Sequence, residues 1–137
     1  MRLAIATILL AVTTAAYAQE QFVCIGTKST GFRWDGRQWS PSGFKVDGEM
    51  YMVQEIKEET FGDRVVNFKI NKFGESISYD CHRPKEGFRI LCGGVAIGTV
   101  IDTKRLRFIR HYLYGYLDGD TEGDTPFILI GTCTRMR

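Results

Sequence analysis

Apolar and polar side chains alternate along most of the chain, with the two-residue period of a β-strand. The segment 63–71 is the clearest example, with Val66, Phe68 and Ile70 on one face. The segment 21–28 repeats the pattern, with Phe22 and Cys24 on one face. Further short strands are predicted at 44–46, 49–59, 76–81, 88–92 and 95–101. The segment 49–59 also fits a helix loosely, and the tight turn before it favours the strand.

Turn-forming residues separate these segments at close intervals. Asp47-Gly48 is a tight-turn pair, 82–87 is a polar turn, and Gly93-Gly94 permits a sharp bend. The segment 29–43 is rich in Gly and Ser and is predicted to be a loop. About eight to nine short strands joined in this way predict an all-β fold, an antiparallel barrel or sandwich.

The last thirty residues are the most apolar and aromatic part of the chain beyond residue 18. They predict two long strands, 105–117 and 126–133, around an acidic loop at 118–125. Both faces of the first strand change from basic at Arg105 to apolar at Tyr116. We therefore expect this strand to run from solvent into the core.

Residues 1–18 have the three-part pattern of a secretory signal peptide. Met1-Arg2 is a short positive start, an apolar run without charge follows, and Ala16-Tyr17-Ala18 is a small-x-small cleavage site. The alternative is a membrane anchor, but the run is short for a span of about 20 apolar residues. Cleavage would leave a single β domain at 19–137, exported to the periplasm or secreted.

Charge gives little guidance to the partner. Without Arg2, 17 basic residues stand against 16 acidic ones. Such a near-neutral balance gives no reason to expect binding to nucleic acid or to a membrane surface. No later segment is long and apolar enough to predict a membrane span.

All four cysteines follow the predicted cleavage site, and an even number in an exported chain predicts two disulfides. Three pairings are possible. We favour Cys81 with Cys92, which flank a predicted hairpin, and Cys24 with Cys133, which would join the first and last strands of a closed sheet. The second bridge would contribute roughly 4–5 kcal/mol, because it closes a loop of about 110 residues.

The acidic loop is the sharpest local motif. Asp118, Asp120, Glu122 and Asp124 alternate along it with Gly123 in sixth position, which resembles the start of an EF-hand calcium loop. The pattern departs from that motif at position five, at position twelve and in its flanking strands. A solvated loop is the simpler interpretation, and a weak calcium site is the alternative. No other cofactor is expected.

Two further groups are candidate ligand-binding residues. Phe32, Trp34 and Trp39 could form an aromatic platform, or fold down to plug one end of a barrel. Arg105 and Arg107 share a strand face and could meet an anionic partner, or could protect an edge strand from aggregation. No hydrolase, metalloprotease or phosphate-loop motif is present in the sequence, so no catalytic residue is assigned.

Two resemblances accompany these motifs. The closing pattern of 106–108, Tyr112, 115–116, 125–128 and 131–133, together with 92–94, is similar to small exported alphaproteobacterial proteins of unknown function. That resemblance implies export and a bacterial source, and it brings no activity. The segment 31–34 resembles the Gly-x-x-Trp-like feature of lipocalin barrels, which implies a small-ligand barrel.

The sequence leads to two main functional hypotheses, and a third, a hydrolase, would need a cleft with a perturbed acid or histidine that the sequence does not display. The first is a non-enzymatic binding or inhibitory module of the bacterial envelope, whose partner is an envelope protein. The second is a lipocalin-like barrel that binds a small ligand. We expect no enzymatic activity.

Overall fold

The computed structural model of the protein describes residues 19–120 and 122–136, so the predicted signal peptide lies outside the described residues. Within these residues, nine strands and one short helical turn make up the fold. They are β1 Gln21–Trp34, β2 Trp39–Phe44, β3 Met50–Phe61, β4 Arg64–Lys72, β5 Ser78–His82, β6 Arg89–Gly93, β7 Ile97–Asp102, β8 Arg107–Tyr112, α1 Tyr114–Leu117 and β9 Phe127–Met136.

The strands form one antiparallel sheet that closes on itself. From β3 to β9 each strand pairs with the next, and β1 pairs with both β3 and β9. Eight strands therefore form a closed barrel, while β2 pairs with the outer part of β1 as an additional strand. The predicted all-β fold is confirmed, and of the two architectures it is the barrel.

The inward-facing side chains fill the barrel. Large buried residues come from strands all around it: Phe22, Tyr51, Val53, Val66, Phe68, Ile70, Ile90, Ile101, Phe108 and Leu129. An eight-stranded barrel is just wide enough for such side chains to occupy its interior. The interior is therefore a packed core along most of its length.

Both disulfides have the preferred pairing. Cys24 is bonded to Cys133 between β1 and β9, and Cys81 to Cys92 between β5 and β6. In each pair the cysteines lie directly opposite one another, and all four face the core. The first bridge thus lies across the seam that closes the barrel.

The backbones of β1 and β9 approach closely at this seam. A Cβ atom on Gly131 would lie 2.1 Å from the carbonyl oxygen of Ile25 and 2.3 Å from the Phe108 ring. The register of β1 also shifts between Gly26 and Lys28. Glycine at position 131 therefore lets the barrel close over a large core side chain.

The predicted loop at 29–43 is wrong. β1 continues to Trp34, because Ser29 and Gly31 pair with β9 on one side while β2 pairs on the other. Only 35–38 forms the turn of this hairpin. The short strand predicted at 44–46 is instead the end of β2, which stops at Phe44. Long-range pairing outweighs the Gly and Ser content of the segment.

A strand is present within the predicted segment 105–117, but the predicted length of this strand is wrong. β8 ends at Tyr112, and the chain turns into α1 instead of continuing to Leu117. Tyr116 and Leu117 are exposed, whereas Phe108 near the basic end is buried. The strand therefore does not run from solvent into the core, and strands all around the barrel contribute residues to the core.

Among the described residues, no helix has the length and apolar character needed to cross a membrane.

Candidate functional site

The outer face of β6–β9 carries a continuous row of aliphatic side chains. Leu91 pairs with Val100, Val100 with Ile109, and Ile109 with Ile130, so the four lie side by side across four strands. Their exposed fractions are 47%, 36%, 49% and 44%. We call these four residues the aliphatic row.

The apolar character of this row is unusual for the solvent-facing side of a β-sheet. An antiparallel sheet with one packed and one solvated face normally alternates apolar and polar residues. Here the residues that face solvent are as apolar as their inward neighbours Ile90, Ile101 and Phe108. Contiguous apolar surface of this kind marks interaction sites on soluble proteins.

A row of charged residues borders the aliphatic row on the same outer face, two positions further along each strand toward the end of the barrel. Arg89 pairs with Asp102, and Asp102 with Arg107, so the charges alternate across β6, β7 and β8. Opposite charges directly across a pair of strands are favourable. The aliphatic row therefore has a basic border with one carboxylate within it.

That carboxylate is already engaged by the turn between β7 and β8. Asp102 accepts hydrogen bonds from the backbone N–H groups of Lys104 and Arg105, at 3.0 and 2.8 Å, and from the Arg105 guanidinium at 3.2 Å. These bonds, first the one from the Arg105 backbone, hold the pKa of Asp102 below its ordinary value. The ionised carboxylate thus fixes the turn and is occupied within it.

The two rows meet in a groove of about 420 Å³ on the outer surface. Val100 and Ile109 contribute its aliphatic part, and Arg89, Arg105 and Arg107 its cationic part. Arginine suits this position because its planar guanidinium binds carboxylates through paired hydrogen bonds. The groove can therefore bind a segment that combines apolar side chains with acidic ones.

The structure separates the predicted ligand-binding residues into two groups. Arg105 and Arg107 lie at the groove, at the end of the barrel where β8 begins. Phe32, Trp34 and Trp39 lie at the opposite end, in the hairpin of β1 and β2. The five residues therefore do not form one site.

The aromatic side chains of the hairpin are arranged around Trp39. Its ring lies 5.8 Å from Trp34 and 5.5 Å from Tyr116, measured between centroids, while Phe32 is half exposed. The Trp39 indole N–H donates a hydrogen bond of 2.8 Å to Asp120. The indole thus anchors the acidic loop to the hairpin and is not a free platform.

The acidic loop is held by two such bonds. Besides the bond from Trp39 to Asp120, the Tyr112 hydroxyl donates to Asp124. Within 19–120 and 122–136, no three His, Cys, Asp or Glu side chains are grouped closely enough to hold a metal ion. Calcium binding by Asp118, Asp120, Glu122 and Asp124 stays a prediction.

The bond from Tyr112 to Asp124 gives a pH prediction. This bond, with a smaller contribution from burial, raises the pKa of Tyr112 to about 12. Because the folded state favours the protonated phenol, its stabilising contribution is complete below about pH 10, the ordinary pKa of tyrosine, and is lost toward pH 12. We expect urea unfolding to show a smaller loss of stability across this window for Tyr112→Phe than for the wild type.

Two features make this comparison specific. Tyr51 also has a raised pKa, through burial and its hydrogen bond to Glu49, but it is present in both proteins and cancels in the difference. Tyr114→Phe removes the hydroxyl of an exposed tyrosine two positions away and should lose as much stability as the wild type between pH 10 and pH 12. The prediction is contradicted if Tyr112→Phe and the wild type lose the same free energy of unfolding across this pH window.

Sequence reasoning missed the aliphatic row. A signal for it exists, because Leu91 lies between Ile90 and Cys92, and Ile109 follows Phe108, so both faces of these strands carry apolar residues. Such strands are expected when both faces are covered. That the four residues align, however, follows only from the register of four strands.

The chain matches no protein-family model, no curated protein and no solved structure.

Proposed function

We propose that the protein is a non-enzymatic binding or inhibitory module of the bacterial envelope, and that it binds an envelope protein through the outer face of β6–β9. The observation that carries the proposal is the aliphatic row on a closed, disulfide-bonded barrel. The partner presents apolar side chains to the row and acidic side chains to the basic border.

Magnitudes support a joint role for the two rows. Burying an Ile or Leu side chain completely is worth about 1.5–3 kcal/mol, so covering the exposed half contributes about 1 kcal/mol per residue. Four such residues give on the order of 4 kcal/mol, which is only comparable to the lower bound of the cost of association. The arginines therefore supply the complementarity that selects the partner and speeds its encounter.

Two disulfides suit an exported protein, because oxidising compartments preserve such bonds. They support the periplasm or the exterior as the place of action, together with the predicted signal peptide. The aliphatic row also argues for a protein partner over nucleic acid, whose phosphates require mainly polar and cationic contacts.

The lipocalin-like alternative has less support. A ligand-binding barrel of that kind needs free volume inside, and this interior is occupied by Phe22, Tyr51, Phe68, Phe108 and Leu129. A small ligand would therefore have to bind outside this core.

Photocrosslinking in the native envelope tests the proposal. A photoreactive residue is placed at position 91 or 109 in the aliphatic row, and at position 77 as a control, where Ile77 is equally apolar and more exposed. We expect the same discrete crosslinked protein from positions 91 and 109 and no such product from position 77. The mature, oxidised protein is used throughout.

A charge reversal tests the basic border separately. Arg107→Glu should reduce crosslinking from position 91 by about tenfold, because it replaces an attractive contact with a repulsive one. Lys57→Glu makes the same change at an exposed site on β3 and should leave the yield unchanged. The proposal is abandoned if position 77 gives the same product, or if no position captures a protein from the native envelope.

A further inference from the structure

The hairpin end of the barrel, where β4 and β8 end and β3, β5 and β9 begin, is polar inside. Strand alternation continues the inward faces of β4 and β8 from Phe68 and Phe108 to Lys72 and Arg110. Glu49, just before β3, and Tyr79 on β5 lie beside them. We call this region the mouth.

One pair of charges at the mouth is already matched. The Lys72 ammonium lies 2.6 Å from a Glu49 carboxylate oxygen, and the Tyr51 hydroxyl donates to the other oxygen. Burial opposes the ionisation of Glu49, but the hydrogen bonds from Lys72 and Tyr51 outweigh it and hold its pKa below the ordinary value. Glu49 is therefore ionised at neutral pH and balances Lys72, whose ammonium also lies 3.9 Å from a Glu75 carboxylate oxygen.

Arg110 is the second cation of the mouth, and it is held differently. Its guanidinium donates one hydrogen bond of 3.2 Å to the hydroxyl of the buried Thr99. The guanidinium carbon lies 5.3 Å from the centroid of the Tyr51 ring and 5.5 Å from that of Tyr79. The arginine is thus fixed between aromatic rings.

No carboxylate forms an ion pair with this guanidinium within the part of the chain that the structure describes, although the Glu49 carboxylate acts on it through space and shares its pocket. The ion pairs among those residues use Lys72, Arg64, Arg83, Arg105 and Arg135, and none uses Arg110. Five N–H donors belong to a guanidinium, and the contact with Thr99 uses one of them. The remaining donors are available for an anion.

The pocket at the mouth is small and mixed in character. It measures about 230 Å³ and combines Arg110, Lys72, Glu49 and Glu75 with the apolar surface of Ile70, Tyr79 and Phe127. Pockets for drug-sized ligands are about 300–1,000 Å³. The volume therefore suits a ligand with a single small ring or a short chain.

We propose that the mouth binds a small carboxylate, with its charged group on the Arg110 guanidinium and its apolar part against Tyr79, Ile70 and Phe127. A carboxylate matches the planar fork of arginine by two parallel hydrogen bonds. The aromatic and aliphatic walls favour an organic anion over a fully hydrated inorganic one. This site is independent of the outer face of β6–β9, so either can fail without the other.

Amide and side-chain NMR spectra of the mature, oxidised protein test the site with benzoate as the probe. Benzoate should shift the resonances of Thr99, Tyr79 and the Arg110 guanidinium in a saturable manner. Benzamide, which has the same shape without the charge, should leave them in place at the same concentration. Inorganic phosphate should likewise cause no saturable shift at these residues.

Variants on the two faces of β8 locate the binding. Arg110→Lys retains a positive charge but lacks the fork, and should weaken benzoate binding about tenfold or more, while Arg110→Gln should abolish it. Arg107→Gln removes an arginine from the outer face of the same strand and should retain wild-type affinity. Arg110→Lys keeps a long aliphatic stem and the charge, so this variant tests the site if Arg110→Gln does not fold.

Several results would overturn the proposal. The ligand class is wrong if phosphate or benzamide shifts the mouth resonances as strongly as benzoate. The location is wrong if Arg107→Gln reduces the affinity and Arg110→Lys does not, since benzoate would then occupy the outer groove. An absence of shifts at the mouth with the wild-type protein rejects the site altogether.

Discussion

Replacing Cys24 and Cys133 together with alanine should lower the free energy of unfolding by about 4–5 kcal/mol. The two cysteines are separated by 109 residues, so their bond restricts the unfolded chain over most of its length. In the chain-entropy model, a disulfide that closes such a long loop contributes a stabilisation close to the upper end of the usual range. Since a small domain is stable by only about 5–15 kcal/mol, this is a large share.

The second disulfide is the matched control. Cys81 and Cys92 are separated by 11 residues, join neighbouring strands and are buried like the first pair. Their replacement by alanine should cost about 3 kcal/mol, roughly 2 kcal/mol less, because the closed loop is shorter. Urea unfolding of the oxidised chain from residue 19 onward measures both variants. An equal loss for both bridges would show that loop length does not determine their contribution.

The same disulfide should also stabilise the proposed binding surface. The Cys24–Cys133 bond joins β1 to β9, and β9 carries Ile130 of the aliphatic row. A binding surface formed by four strands stays in register only while the sheet remains closed. We therefore expect the long-range bridge to protect the partner surface as well as the fold.

Phe108→Ala should lower the free energy of unfolding by about 3–5 kcal/mol, the usual cost of removing a buried phenylalanine. The side chain is 2% exposed and packs edge to face on Tyr51, with a centroid distance of 5.8 Å. It also lies directly beneath Gly131 at the closing seam. Alanine would leave a cavity that the rigid seam is poorly able to collapse.

Ile109→Ala is the control for this change, because it lies one position along the same strand and faces outward. Its cost should stay below about 1 kcal/mol, since the side chain is already half exposed. The two variants thus separate stability from binding, as Ile109→Ala should weaken crosslinking to the partner while the protein stays folded. If the two variants lose comparable stability, then Phe108 does not face the core while Ile109 faces outward.

Local sequence patterns were sufficient for much of the fold. The alternation in 63–71 and 21–28 predicted strands with the correct inward faces, and Asp47-Gly48 lies in a turn. These features depend on the pleat of one strand or on the backbone freedom of one or two residues, so a short window contains them. The hairpin of β1 and β2 was missed because its strands depend on pairing with β9 and with each other.

The candidate sites were less accessible to sequence reasoning. Arg105 and Arg107 were recognised as a basic pair, but their aliphatic neighbours Val100 and Leu91 come from other strands. Strand alternation places Arg110 on the opposite face from Arg107, but nothing local indicates that Tyr51 and Tyr79 enclose it. Its environment is assembled from residues about 30 and 60 positions earlier in the chain.

By itself, the sequence determined that this protein is an all-β chain with four cysteines suited to two bonds and strands whose inward residues can fill a core, and it predicted a signal peptide at 1–18. Only the tertiary structure decided that the sheet closes through β1 and β9, that Leu91, Val100, Ile109 and Ile130 align outside it, and that Arg110 faces the mouth. The physical reason is that alternation is a property of one strand, whereas register and closure are set by contacts between segments as far apart as 109 residues.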